Sequence, residues 1–383
     1  MPNIILFDDA ASENLLPLTF TKPSCELRLG ITTITQKWAA ALGSQPSFLP
    51  FRAYLNPKYP TVYAEDNIFV NARFLPSNAL IDAILGLEMD CGLQKNETNI
   101  AFRTNASIGK IASIEFLGEV DELKRPCDIF LLNDKVLRSD FVAITKGRTS
   151  QNLSSTNQLL GNDIFLEEGA VVECAILNAK TGPIYIGNHA EIMEGSTVRG
   201  ALALCDHATL KMATKIYGAT TIGPHCKVGG EISNSLLAGF SNKGHDGFLG
   251  SSVVGEWCNL GADTNTSNLK NNYEIVKLWN YTTKRFDPTG LQFCGLIMGD
   301  HAKAGINTMF NTGTVVGVGA NIFGAGFPRN FLPSFTWGGA QGTMPYKFDK
   351  FLETAKIVMQ RRDTTLTEHD IAILRNVFEE ETA

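Results

Sequence analysis

Between residues 186 and 228 the chain reads IGNHAEIMEGSTVRGALALCDHATLKMATKIYGATTIGPHCKV, with an aliphatic side chain at every sixth position: Ile186, Ile192, Val198, Leu204, Leu210, Ile216, Ile222 and Val228. At 44% hydrophobic composition, such a run at one preset phase arises by chance roughly once in 700 trials. The register resumes as Phe248, Val254 and Leu260, and again as Met298, Ala304, Phe310, Val316 and Ile322, while Leu166 and Val172 share the spacing at a shifted phase. A period of six is not helical, and glycine at this density would cost about 1 kcal/mol per site in a helix. One short strand and a turn per hexad, closing a three-sided coil every 18 residues, satisfies the pattern as a left-handed parallel β-helix of hexapeptide repeats. Glycine follows the apolar position in Ile186-Gly187, Ile222-Gly223 and Val254-Gly255, where the backbone turns or approaches its neighbour closely.

Working outward from the repeat, residues 1–146 lack the period and predict an α/β domain. They combine apolar runs at 4–7, 68–70 and 129–132 with a helix over 77–87 that Ser77 caps. The polar stretch 147–159 reads as a linker, residues 160–345 as the coil, and residues 346–383 as a tail of two helices, the second capped by Thr367 with Asp370 at capping-box distance. That tail is expected on the open end of the coil or on a neighbouring subunit.

Length alone favours two domains. A formal charge of -6, with no basic run longer than Arg361-Arg362, excludes the electrostatic footprint of a nucleic-acid or anionic-membrane binder. The first nine residues read as a buried strand followed by acids, neither a signal peptide nor a spanning helix. Eight scattered cysteines without C-x-x-C or metal spacing indicate reduced thiols in a cytoplasm.

Three of the six histidines, His189, His207 and His225, recur every 18 residues at the fourth hexad position and should stack one per coil. A metal ladder is one reading. Stacked neighbours about 4.8 Å apart make poor tetrahedral geometry, however, and a turn position that tolerates positive φ explains them without a metal. His245 differs, because it falls where the register breaks, and functional side chains favour excursions from rigid scaffolds. An amine attacking a thioester must lose a proton, a task suited to imidazole.

The stretch Gly244-His245-Asp246-Gly247-Phe248-Leu249-Gly250 resembles the catalytic-histidine segment Gly-His-x-x-Tyr-Leu-Gly of the bifunctional glucosamine-1-phosphate acetyltransferase and N-acetylglucosamine-1-phosphate uridylyltransferase (GlmU-type) family. Asn259-Leu260-Gly261-Ala262-Asp263-Thr264, followed by Asn268, is similar to that family's Asn-Ile-Gly-Ala-Gly-Thr segment. Ser241 to Gly247 and Asn311 to Thr314 resemble motifs of a shorter GlmU-like group described as sugar nucleotidyltransferases. The resemblance implies His245 as general base and Lys215 as the sugar-phosphate contact, with Glu231, Asn259 and Asn268 positioning sugar or imidazole. It further implies acetyl-CoA along an outer groove against Gly305, Ile306 and Ala325, Arg329, Arg361 and Arg362 as candidates for its phosphates, and a homotrimer. Two family positions differ, with Ser233 in place of a lysine and Phe248 in place of a tyrosine; Lys270 or Lys277, in the insertion after Asn268, is a candidate replacement for the missing charge.

In the first domain only half of the nucleotidyltransferase opening is present. Leu16 to Pro23 and Arg28 to Gly30 look like the Pro-Leu-Thr element and the turn after it, with Lys22 and Arg28 the implied nucleotide contacts. The glycine loop is replaced by Asp8 to Glu13, whose acids repel phosphate unless a metal such as Mg2+ intervenes. Three functions follow: acetyl transfer to an amino-sugar phosphate, glucosamine 1-phosphate first, with or without coupled transfer from UTP or dTTP; nucleotidyl transfer alone, with the coil serving assembly; and sugar-nucleotide binding without catalysis.

Overall fold

The computed structural model describes residues 2–105 and 111–382. A six-stranded sheet opens the chain, in the order Ser47–Leu49, Asn3–Phe7, Asn67–Asn71, Thr98–Thr104, Cys91–Lys95, Ala112–Glu115. Asn3–Phe7 is parallel to both of its neighbours, and Thr98–Thr104 runs antiparallel to the two strands beside it. Helices α1 (Ile34–Leu42) and α2 (Asn78–Leu85) flank it, each started by a side-chain cap, Thr33 and Ser77 respectively. The apolar run at 129–132 belongs to an 18-residue helix, α3 (Asp128–Thr145), whose buried side lies against the coil.

From Gln158 the chain winds into a parallel β-helix with three sheets of 9, 10 and 8 strands. One interior column runs Ile186, Leu204, Ile222, Leu237, Val254, Met298, Val316, Leu332. A second runs Val198, Ile216, Ile232, Leu249, Thr266, Phe310. The hexad reading places Phe248 in that ladder. The structure instead buries Leu249 and leaves Phe248 half-buried, because the coil from Leu237 to Val254 has 17 residues and its last leg, Leu249 to Val254, is one residue short of a hexad.

The three faces have different fates. The covered face carries small or apolar outward residues, Tyr185, Ala201, Ala203 and Ala219, which pack on Ile31 of the N-terminal domain and Leu137 of α3. The groove face carries the outward column Glu191, Thr209, Lys227, Asn242, Asn259, Lys303, Asn321. The open face presents Lys215, Glu231 and Phe248 in adjacent strands. Helices α4 (Phe348–Gln360) and α5 (Glu368–Thr382) pack along the side of the coil and onto the N-terminal domain rather than over its end, through Phe335, Val318, Trp257 and Phe20. Thr367 and Asp370 exchange the capping-box hydrogen bonds at the start of α5.

Candidate functional site

The turn 244–247 joins a strand of the groove face, Asn242–Lys243, to a strand of the open face, Phe248–Gly250, so His245 stands at a corner of the coil. It can lie there because Gly229 and Gly230 cradle the turn from the coil below: a Cβ on Gly230 would come within 2.9 Å of the His245 carbonyl. The imidazole is exposed and lines a groove of about 740 Å³.

Along that groove the walls are Phe240, Trp257, Ile306 and Val358, and the charged residues are Lys211, Lys227, Lys303, Arg361 and Arg362, with no acid among them. The helix α4 delivers the arginines. Its Phe351, Ala355 and Met359 are buried on the coil, which brings the turn after Gln360 over the groove, and Arg362 donates to the Asn242 side chain at 2.8 Å. Arg362 leads the causes that push the Lys227 ammonium below its ordinary pKa, with burial, Lys211 and Arg361 following. Lys303 is lowered by burial. Cations that depress Lys227 against the weaker pull of Glu191, with no acid lining the groove itself, make a site for a polyanion.

The aromatic wall is the upper part of one continuous stack. His189, His207, His225, Phe240 and Trp257 follow one another with ring centroids 5.2, 4.8, 4.7 and 4.2 Å apart, and His301 continues the line at 6.3 Å. Each sits at positive φ, between 53° and 61°. The rings meet face to face, so their in-plane nitrogen lone pairs do not converge, and among the described residues no group of three potential ligands is arranged to hold a metal.

The other expected residues divide around the corner. Asn259 and Ile306 line the groove with His245. Lys215 and Glu231 face outward on the open face as direct cross-strand neighbours, and the Glu231 carboxylate accepts from the Tyr217 hydroxyl at 2.6 Å. Asn268 lies over Gly250 beside the Phe248 ring, donating to Ser251 Oγ at 3.4 Å. Gly305 supports the groove through its chain neighbours, its carbonyl taken by Thr308 and Thr264. Ala325 and Arg329 are exposed and do not line the groove. Neither Lys270, paired with Glu274, nor Lys277, on the hairpin Lys277–Asn280 with Arg285–Pro288, reaches it. Lys211, Lys227 and Lys303 escaped the sequence reading. The position just before each interior residue of the groove face, read as a column, is the signal that would have found Lys227 and Lys303.

Lys22 and Arg28, expected at a nucleotide, are spent on the coil. The Lys22 ammonium is buried between Glu256 at 2.8 Å and Asp300 at 3.0 Å, and Arg28 donates to the Ala238 carbonyl at 3.1 Å. Where a glycine loop would cradle phosphate, both Asp9 oxygens are held by Arg73 at 2.8 and 2.6 Å, and Arg73 also meets Glu122. Asp8 accepts from the Ser24 amide, and burial pushes its carboxyl up to about 6. This donor set does not fit Mg2+, since the Asp9 and Glu13 carboxylates are each already held by a guanidinium, Arg73 and Arg52, and Asp8 is buried against the Ser24 amide.

Residues 4–149 match the family model for sugar nucleotidyl transferases. The bifunctional protein GlmU of Methanocaldococcus jannaschii is 29% identical over 208 residues, covering 54% of this chain and 44% of that protein. This chain is GlmU-like. The GlmU of Methanococcus maripaludis aligns with this GlmU-like chain over 259 residues at 27% identity, covering 66% of one and 56% of the other, so the chain spans about half the length of the curated relatives it matches. Among solved structures, the polySia specific acetyltransferase NeuO overlaps 50% of this chain and 87% of its own at 14% identity, with a TM-score of 0.28. No helix among the described residues is long and apolar enough to cross a membrane.

Proposed function

We propose that this GlmU-like chain transfers the acetyl group of acetyl-CoA to the amino group of an amino-sugar phosphate, with glucosamine 1-phosphate the first acceptor to test. The observation that carries the reading is the groove itself: five cations and no acid along one wall, apolar and aromatic side chains between them, and His245 at the lip. Lys211, Lys227, Lys303, Arg361 and Arg362 neutralise the phosphates of acetyl-CoA, and its uncharged arm lies along Trp257 and Ile306 toward His245. The turns at Gly305 and Ile306 supply backbone contacts. Lys215 meets the phosphate of the acceptor, while Glu231, Asn259 and Asn268 orient its ring. The acceptor nitrogen attacks the thioester carbonyl, His245 takes the proton that the nitrogen loses, and the C–S bond breaks to release CoA. Three copies assemble around the open face.

Thiol release from acetyl-CoA with glucosamine 1-phosphate tests this directly. His245→Ala is expected to lower kcat by about 10²–10⁴-fold, the range for a lost general base. A folded wild-type protein that releases no thiol across a panel of amino-sugar phosphates would remove the reading.

A second reading, nucleotidyl transfer by the N-terminal domain, is supported by the family match over residues 4–149. The engagement of Lys22 and of the Asp9 carboxylate within the protein counts against it. Pyrophosphate release from UTP or dTTP with Mg2+ and a sugar 1-phosphate would establish it.

A further inference from the structure

Among the described residues, the interior of the coil holds one lysine or arginine. Lys243 pairs with Val228 in the column that begins Val172, Ile192, Leu210, Val228, where every preceding residue is aliphatic, and it is 0% exposed. Its ammonium has three donors and three main-chain acceptors: the carbonyls of His245 at 2.6 Å, Asp246 at 3.0 Å and Gly229 at 3.4 Å. Burial pushes its pKa down to about 8, against the pull of Asp246 and Asp263.

Other coils satisfy this corner with a hydroxyl. Ser196 and Thr214 donate to the Lys211 carbonyl at 3.0 and 2.5 Å. Thr264 donates to Gly261 at 2.8 Å and Thr308 to Gly305 at 2.8 Å. In the coil of His245 the corresponding residue is Gly247, held at φ 116° with the space of its missing Cβ filled by the Thr264 carbonyl, 2.3 Å away. The coil before it passes from Val228 to Ile232 and has Gly230 at that corner, which brings no hydroxyl either. A leucine at 243 would complete the ladder, whereas a lysine there is disfavoured by desolvation. That unfavourable choice falls at the one turn that bears His245, and its two shorter bonds go to that turn's own carbonyls, the third to Gly229 of the coil below.

We propose that Lys243 is a positioning residue: from inside the coil it anchors turn 244–247 and so fixes the His245 imidazole at the lip of the groove. The inference rests on His245 acting as the base, but the anchoring has a readout of its own. In Lys243→Met, which keeps the length and removes the donors, amide exchange in 244–247 is expected to quicken about tenfold while the neighbouring strands stay protected. For acetyl transfer, kcat is expected to fall about tenfold to a hundredfold, as for a displaced catalytic group. KM for acetyl-CoA should stay within about threefold, since Lys243 lies outside the groove lining. Lys243→Gln, with two donors, should recover part of both, and it carries the same comparison should the methionine variant fail to fold. Unchanged exchange in 244–247, or a kcat and pH profile equal to wild type, would overturn the proposal. Absent acetyl transfer in wild type would instead remove the His245 reading, and the exchange measurement would still decide the anchor.

Discussion

His301 occupies the same left-handed corner as His189, His207 and His225, at φ 61°, but α4 covers it. Burial, then the neighbouring Lys303 ammonium, pushes its pKa down to about 3, and its Nδ1 is buried without a hydrogen-bond partner. The folded protein therefore holds a neutral ring. Between about 3 and the ordinary value of 6.5 the unfolded chain binds a proton that the folded chain refuses, so stability falls as pH drops below 6.5. From this residue alone the slope approaches about 1.4 kcal/mol per pH unit. Asp8, whose raised carboxyl titrates near 6, acts in the opposite sense, contributing stability at low pH that is lost as pH rises through that value. The contribution of His301 must therefore be isolated by difference. His301→Asn keeps a residue tolerant of positive φ, and Tm measured at pH 7 and pH 5 should fall less in this variant than in wild type. An equal fall would show that His301 is not the group responsible.

At the scale of elements, what the sequence reveals depends on periodicity. Eight apolar hexad positions were enough to specify the coil, because strand, turn and core each recur at a fixed offset. Lys243 escaped because a polar residue at an interior position breaks the pattern used to find interior positions, and Phe248 was misplaced because the leg from Leu249 to Val254 is one residue short of a hexad, which no local signal marks. The cationic groove was half legible: Arg361 and Arg362 stand out as a pair, but the packing of α4 that brings them beside Lys227 joins residues more than 100 positions apart. Helix and groove are separable by mutation. Phe351→Ala removes a ring that is 3% exposed, against Phe335 and His301, and should cost about 3–5 kcal/mol. It should also raise KM for acetyl-CoA by loosening the arginines. Arg362→Ala should raise that KM about tenfold, as for a lost charged contact of about 1.4 kcal/mol, while leaving Tm within about 2 °C. If Arg362→Ala binds acetyl-CoA as wild type does, the groove is not where its phosphates lie.

The whole molecule is less divisible than a two-domain sequence with a polar linker suggests. One apolar cluster runs from Ile4, Leu6 and Val70 in the N-terminal sheet through Leu236, Val253, Ile297 and Val315 on the covered face, and takes in Val276 and Leu278 of the insertion. The insertion acts as a strap, with Trp279 stacked on Phe331 at 4.2 Å and the Thr289 carbonyl accepting from Arg125. Beside this apolar contact, Lys22 reaches from the N-terminal domain to Glu256 and Asp300 of the coil, and Thr21 donates to the same Asp300. A continuous core predicts one cooperative unfolding transition, observable by calorimetry. Lys22→Met should lower stability by about 3–5 kcal/mol, because it strands a buried carboxylate rather than because the ion pair itself is strong. Asp300 is held below its ordinary pKa by Lys22 once the opposing effect of burial is overcome. In wild type its contribution is therefore present above the unfolded carboxylate pKa and is lost on acidification. Without Lys22, burial dominates and the Asp300 pKa rises, so the deficit of Lys22→Met should shrink as pH falls from 7 toward 5. Adding Asp300→Asn should recover part of the loss at pH 7, since the amide removes the stranded charge. Recovery would locate the effect in desolvation; a double variant less stable than Lys22→Met would mean that Asp300 matters chiefly for the hydrogen bonds it accepts from Thr21 and the Glu256 amide.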